Sequence, residues 1–169
     1  MDKPPILYHA SPNNNIEIFE PRVGKRPHNF NEGPVLFATD DFAFATHFLV
    51  NTKSTWTADG VLNGVHYYIA CDQKRFMASD IGGTIYTLPS ESFWPLKHLE
   101  WYSKSSVKPI NKKYFPSGLQ CMIQNKVQVY FVDLPTFQTI KNSNDHGLEI
   151  LKNLISENSK IGTNAIVFS

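Results

Sequence analysis

The chain consists of many short segments rich in β-branched and aromatic residues, and this feature most constrains its fold. Prolines and glycines separate the segments, a pattern typical of short strands joined by turns. Helical periodicity is confined to residues 41–49, capped by Thr39 or Asp40, to a helix after Pro116-Ser117, and to a last helix ending at Gly162. Because strands and helices do not alternate regularly, the pattern predicts an α+β fold rather than a doubly wound sheet. The predicted strands cover residues 6–9, 16–19, 35–38, 65–71, 84–88, 99–103, 107–110, 127–132 and 165–168.

Length and composition favour a single domain. The chain has 169 residues, of which 41% are hydrophobic and 12 are Phe, 7 Tyr and 3 Trp. This is enough apolar material to bury a core without disulfides or a metal ion. The chain contains no repeat, low-complexity tract or linker. We therefore expect one domain over residues 1–169, with residues 116–169 as an extension that the motifs described below do not place.

Charge and cysteine content narrow the classes of partner. The net charge is +1, and the only arginines are Arg22, Arg26 and Arg75. Three arginines are few for a protein that recognises the phosphates of a nucleic acid, so nucleic acid is not expected as a partner. Cys71 and Cys121 lie far apart without metal-ligand spacing, which is typical of buried thiols in a reducing compartment. No apolar run approaches the ~20 residues that span a bilayer, and no signal peptide is recognisable. We expect a cytoplasmic protein without membrane contact; export by a signal-less route stays open.

Two of the predicted strands end in polar groups. Residues 7–11 read Leu-Tyr-His-Ala-Ser, so His9 stands at the mouth of a short apolar strand. Residues 35–41 read Val-Leu-Phe-Ala-Thr-Asp-Asp, a buried strand that turns into a helix. A polar residue at one strand end, beside a strand-to-helix corner, is a common way to form a nucleotide cleft. The pattern therefore predicts a nucleotide site at His9.

The first segment resembles the opening motif of the ADP-ribosyltransferase-like superfamily. That motif is a strand ending in Tyr-His-Gly-Ser or Tyr-His-Gly-Thr; its His donates to the adenosine ribose, and the backbone of the next residue holds the nicotinamide carboxamide. Here Ala10 replaces the usual Gly, which keeps the backbone hydrogen bonds but narrows the approach of the ring. The resemblance implies split antiparallel sheets flanked by short helices, with NAD as substrate and no metal.

The second segment, residues 33–47, is similar to the strand, turn and helix in which two aromatic residues of this superfamily sandwich the nicotinamide. Leu36 falls at the position of a strand Tyr or Ser, with Phe37 beside it. The helix aromatic falls at His47 or Phe48. The resemblance thus implies that Phe37 and His47 pack on the nicotinamide, without the strand hydroxyl of active members.

The third similarity is Glu100, which resembles the acidic residue at the start of a late strand of the superfamily. Loss of nicotinamide leaves an oxocarbenium-like ribose, and an anion beside the ribose hydroxyls stabilises that positive charge. Glu91 and Gln128 are the alternatives for this role. His98 stands where members that modify arginine often carry Gln or Glu, so arginine specificity is not expected.

The leading expectation is NAD-dependent ADP-ribosyl transfer, or NAD glycohydrolysis with water as the acceptor. Glu100 and His9 are the catalytic candidates, and Ala10, Phe37 and His47 are expected to bind NAD. Arg22, with Lys25 on the loop 21–34, is a candidate for the pyrophosphate. One alternative is the related tRNA 2′-phosphotransferase activity, which shares the Tyr-His opening but relies on several arginines. The other is a catalytically inactive module that binds NAD, ADP-ribose or a protein. The sequence does not identify the macromolecular acceptor.

Overall fold

The fold is α+β, as the sequence predicts. The computed structural model describes residues 3–23, 30, 32–96, 99–145, 147–161 and 165–167. Within them, ten strands form two sheets, accompanied by five helices. The strands are β1 (Ile6–Ser11), β2 (Leu36–Thr39), β3 (Thr57–Leu62), β4 (Val65–Ala70), β5 (Gly83–Pro89), β6 (Phe93–Pro95), β7 (Glu100–Ser103), β8 (Asn111–Phe115), β9 (Gln128–Phe131) and β10 (Ala165–Val167). The helices are α1 (Phe42–Thr46), α2 (Gln73–Ser79), α3 (Gly118–Gln124), α4 (Leu134–Asn142) and α5 (Leu148–Ile161).

The larger sheet has the strand order β6-β7-β2-β1-β5-β8, and every neighbouring pair is antiparallel. β1 pairs with β5 along its whole length, from Ile6 opposite Pro89 to Ser11 opposite Thr84. Its pairing with β2 is restricted to a single register position, Tyr8 opposite Thr39. The two central strands of this sheet therefore separate beyond one pair, which opens a gap beside β1.

The smaller sheet has the order β10-β9-β4-β3 and is mixed, not antiparallel as the resemblance implies. β3 and β4 form an antiparallel hairpin, whereas β9 runs parallel to both β4 and β10. Parallel neighbours need a long crossover connection, and α4 with α5 provides it between β9 and β10. The extension that the sequence left unplaced thus supplies α3, α4, α5 and half of this sheet.

Strand β9 of the smaller sheet is covered on both faces. On one face, Val129 and Phe131 pack in a cluster with Phe76 and Met122. On the other face, Tyr130 lies in a cluster with side chains of α4 and α5. Because successive residues of a strand point to opposite faces, a strand covered on both sides is apolar throughout. This explains the continuous apolar run at residues 129–132.

Two predicted strands are wrong. Residues 16–19 and 107–110 form one isolated bridge between Phe19 and Val107 instead of ladders. Only Phe19 and Val107 are buried, while Ile18 and Ile110 are 54% and 62% exposed, so the apolar residues do not share a buried face. In place of the strand predicted over residues 107–110, strand β8 begins directly after Ile110. Of the helices described, none is long and apolar enough to cross a membrane.

Candidate functional site

A pocket of about 470 Å³ lies where β1 and β2 separate. Its volume falls within the ~300–1,000 Å³ that is typical of small-molecule sites. We call it the first pocket; the residues that line it are Tyr8, His9, Ala10, Phe37, Ala38, Thr39, Phe44, Ala45, Phe48 and Glu100. Four residues that the sequence singled out, namely His9, Ala10, Phe37 and Glu100, are thus brought to one cavity.

The strand register explains why residues distant in the chain meet here. Tyr8 lies opposite Thr39, and Thr39 lies opposite Glu100, on the adjacent strands β1, β2 and β7. Directly opposed residues share one face of a sheet and have their Cβ atoms about 5 Å apart. The ladder therefore places the Glu100 carboxylate in a row with Thr39 and Tyr8, on the face that bounds the first pocket.

His9 crosses the gap between the separating strands. Its Nδ1 lies 2.7 Å from the carbonyl oxygen of Phe37, and because a carbonyl only accepts, Nδ1 carries the hydrogen. Burial lowers the pKa of His9 below its usual value, the bond to Phe37 opposes this, and the charge of Arg22 lowers it further. A neutral ring protonated at Nδ1 leaves Nε2 as an acceptor. A ribose hydroxyl would therefore donate to His9, the reverse of the direction implied by the resemblance.

Aromatic rings form much of the wall. Phe37 is partly buried, and Phe30 packs against it with ring centroids 5.5 Å apart. Phe30 also contacts Tyr102 on β7, edge to face, at 5.1 Å. A residue of the loop that follows Arg22 thus covers the β2–β7 side of the site. Such a wall suits a planar heteroaromatic ring, because offset-stacked and edge-to-face contacts stabilise the bound ring beyond the gain from burying its apolar surface.

Helix α1 supplies the opposite wall through Phe44 and Ala45, and Phe48 joins them two residues after the helix ends. It begins one residue later than predicted, because Asp41 is the N-cap and its Oδ1 accepts from the Phe44 backbone N–H at 3.0 Å. The rings of Phe44 and Phe48 pack edge to face with centroids 5.3 Å apart, and both line the pocket. Phe48 is 49% exposed, so its ring stands at the rim.

His47 does not line the first pocket. It is 2% exposed, and its Nδ1 lies 3.2 Å from Oδ2 of Asp59 on β3. Successive helical residues point in directions about 100° apart, so His47 and Phe48 face different surroundings. The structure brings Phe48, the second of the two residues expected for the helix aromatic, into the first pocket. His47 lines a neighbouring cavity instead.

The remaining candidates lie outside the first pocket. Arg22 is exposed and pairs through its backbone with Val35; its positive charge still acts on His9. Glu91 lies in the turn before β6, where its carbonyl oxygen accepts from Lys3. Gln128 belongs to β9 of the smaller sheet, and its Oε1 accepts from a tyrosine hydroxyl. Lys25, His98 and Gly162 lie outside the described residues.

Sequence reasoning missed Tyr8, Thr39 and Phe44 as lining residues. The available signals were spacings: Phe37 and Thr39 are two apart on β2, and Phe44 is four residues before Phe48, which lies just beyond α1. Within the described part of the chain, no group of three or more His, Cys, Asp or Glu side chains could hold a metal ion. Burial raises the pKa of the Cys121 thiol to about 11, which keeps it protonated and unreactive.

No family model, curated protein or solved structure matches this chain. Function is therefore inferred from the residues that line the first pocket and from their chemistry.

Proposed function

We propose that the protein binds NAD in the first pocket and transfers its ADP-ribosyl group to a macromolecule or to water. The observation that carries this proposal is the convergence of Glu100, His9 and the Phe37 wall on one cavity. These residues come from three strands, and the cavity lies where two of those strands separate. The resemblance in sequence calls for the same residues.

In this proposal the nicotinamide lies between Phe37 and the Phe48 side of α1, and the backbone of Ala10 holds its carboxamide. The Nε2 atom of His9 accepts a hydrogen bond from an adenosine ribose hydroxyl. Arg22, whose charge already acts on His9, meets the pyrophosphate. Apolar walls remove water from the reacting bond, and this strengthens the electrostatic effect of the carboxylate.

The reaction breaks the bond from the ribose C1′ to the nicotinamide nitrogen, and nicotinamide leaves with the electron pair. Glu100 hydrogen-bonds the ribose hydroxyls and stabilises the positive charge that develops on the ribose. The acceptor oxygen or nitrogen then bonds to C1′ and releases its proton to solvent. Positioning and charge stabilisation are the contributions that this pocket makes.

The test is the substitution Glu100→Gln, which keeps the size of the side chain and removes its charge. We measure the rate of nicotinamide release from NAD by chromatography. We expect this rate to fall about 100-fold or more, which is the loss seen when one group that stabilises transition-state charge is removed. NAD affinity, measured by calorimetry, should stay close to that of the wild type. Glu91→Gln, outside the pocket, is the matched control and should leave turnover unchanged. Full turnover by Glu100→Gln would remove this residue from the mechanism, and no NAD binding at millimolar concentration would refute the proposal.

A second candidate is a module that binds NAD or ADP-ribose without chemistry. It is favoured by Leu36, which stands at the position of the strand hydroxyl in active members and is buried in the core with Leu7. Binding of both ligands without nicotinamide release would support this candidate. The residues of the site do not support the tRNA 2′-phosphotransferase alternative, which relies on several arginines. None of the described residues that line the first pocket is an arginine.

A further inference from the structure

A second pocket, of about 540 Å³, adjoins the first. Phe48 lines both, so its half-exposed ring separates the two cavities. The wall of the second pocket is more polar than that of the first, since amide, hydroxyl and carboxylate side chains are among its lining residues. The residues that line it are Pro12, His47, Phe48, Val50, Asn51, Thr52, Ser54, Thr57, Asp59 and Tyr68.

Asp59 provides the negative charge of this pocket. Its Oδ2 lies 3.2 Å from Nδ1 of His47, and its side chain stays 34% exposed. The His47 side chain is fully buried, and its Nε2 has no hydrogen-bond partner among the described residues. Placing the hydrogen on Nδ1 satisfies the bond to Asp59 and leaves no buried N–H unpaired. In this tautomer His47 donates to Asp59, and its Nε2 is an acceptor.

The neighbouring hydroxyl groups are largely occupied by one another. The hydroxyls of Tyr68 and Thr52 are 2.6 Å apart and share a hydrogen bond. Thr57 donates to the Lys53 carbonyl at 3.0 Å or to the Thr52 hydroxyl at 3.2 Å. This network fixes the floor of the pocket, so Asp59 is the group left to select a ligand by charge.

The charges around the second pocket favour a cation. None of its described lining residues is Lys or Arg, and Asp59 is the only carboxylate among them, so a phosphate or carboxylate next to Asp59 is repelled. At the rim, Lys141 from α4 donates to the carbonyl oxygen of Ser54 rather than to the Asp59 carboxylate. The ring of Phe48 at the boundary offers a cation–π face beside the carboxylate.

We infer that the second pocket binds an alkyl ammonium or guanidinium group, the end of a Lys or Arg side chain on a protein. The cation pairs with Asp59, and its alkyl stem lies along Phe48. Given the proposed function, on which this step rests, the side chain belongs to the protein that accepts ADP-ribose and docks it beside the first pocket. Recognition of this side chain does not require that it be the residue modified.

The experiment uses four small probes of similar size: butylamine, butylguanidine, the neutral butylurea and the anionic butyrate. Binding is followed by NMR of the ¹⁵N-labelled protein, through the amide signals of residues 51–59. We expect both cations to bind at millimolar concentration and butylurea to bind about tenfold more weakly, because its N–H groups can still donate to Asp59 but carry no positive charge. Comparing butylamine with butylguanidine distinguishes a lysine from an arginine side chain.

Asp59→Asn is the matching variant, and Glu17→Gln, an exposed acid outside both pockets, is its control. We expect Asp59→Asn to bind the cations about tenfold more weakly and Glu17→Gln to bind them as the wild type does. Equal binding of butylurea and butylguanidine by the wild type would overturn the inference, even if Asp59→Asn failed to fold. Unchanged cation binding by folded Asp59→Asn would also overturn it.

Failure of this inference is distinguishable from failure of the proposed function, because the probes are titrated without NAD. Cation binding by a protein that does not bind NAD would refute the proposed function and leave the cation site standing. Nicotinamide release without cation binding would do the reverse. With both intact, a lysine- or arginine-rich peptide should accept ADP-ribose from the wild type and several-fold less from Asp59→Asn.

Discussion

His9 combines two tasks in one side chain. Its Nδ1–H group is used by the Phe37 carbonyl, and its ring packs edge to face on Phe19 at 4.7 Å. What remains for a ligand is the acceptor Nε2. The stability of the fold therefore depends on Nδ1, and the proposed ligand contact depends on Nε2. A substitution can remove one of these interactions and keep the other.

Substitution of His9 by Asn should separate the two tasks. An Asn side chain can donate to the Phe37 carbonyl from near the position of Nδ1, but it places no acceptor at the position of Nε2. We expect His9→Asn to bind NAD about tenfold more weakly while its free energy of unfolding changes little. His9→Ala should lose the same affinity and also about 1 kcal/mol of stability, because the Phe37 carbonyl loses its donor. Calorimetry and urea unfolding measure the two effects, and equal stability of both variants would contradict this account.

At the scale of elements, α1 depends on its surroundings. It spans only Phe42–Thr46, and a helix this short is not stable by itself. Both ends are tied to the smaller sheet: Asp41 pairs with His66 of β4 at 3.1 Å, and His47 pairs with Asp59 of β3. The two imidazole rings are 5.9 Å apart. The wall of the first pocket is therefore held in place from the other sheet.

The N-terminal tie can be tested at Asp41, which both caps the helix and pairs with His66. We expect Asp41→Ala to lower the free energy of unfolding by about 1–2 kcal/mol, mainly through the lost cap. Asp41→Asn keeps a good capping side chain and should lose less than half of that. Chemical denaturation measures both variants. A stability equal to that of the wild type in Asp41→Ala would show that α1 does not rely on this residue.

For the molecule as a whole, stability should fall on mild acidification. Burial is the main cause that lowers the pKa of both His9 and His66 below the usual 6.5. Between the folded and unfolded pKa values the unfolded chain binds more protons, so the free energy of unfolding decreases as pH falls below about 6.5. Asp133 and Asp145, whose pKa values are lowered by hydrogen bonds, act in the same direction but at lower pH.

Thermal unfolding at several pH values between 8 and 5.5 measures this dependence. His66→Gln should reduce the slope of stability against pH, because one of these two histidines is removed. A melting temperature independent of pH over this interval would contradict the assigned environments of His9 and His66.

The sequence predicted the interior of this fold better than its edges. β4 and β9 are central strands whose apolar residues are buried, so their patterns are unambiguous. β8 was missed because it is an edge strand reading Asn-Lys-Lys-Tyr-Phe, exposed except at its last residue; lysines protect such edges from further pairing. The hairpin strand β3 carries Asp59 and Gly60, which are disfavoured in strands, and was missed for that reason.

The candidate site was predicted in part, for a similar reason. Glu100 begins β7, whereas His9 lies inside β1, which continues to Ser11 beyond the predicted strand end; sequence motifs mark both residues directly. The sequence leaves His47 and Phe48 as alternatives for the helix aromatic. The choice between them depends on the direction that the short helix takes from its N-cap. The partnership of His47 with Asp59 joins α1 to a strand that the sequence did not predict, so no local pattern could reveal it.

The single register position shared by β1 and β2 has a mechanical consequence. The larger sheet consists of two three-stranded ribbons, β6-β7-β2 and β1-β5-β8, that meet at Tyr8 and Thr39. In the proposed function, NAD in the first pocket would contact both ribbons and add links between them where the backbone ladder has one pair. Binding would therefore stiffen the sheet at this seam.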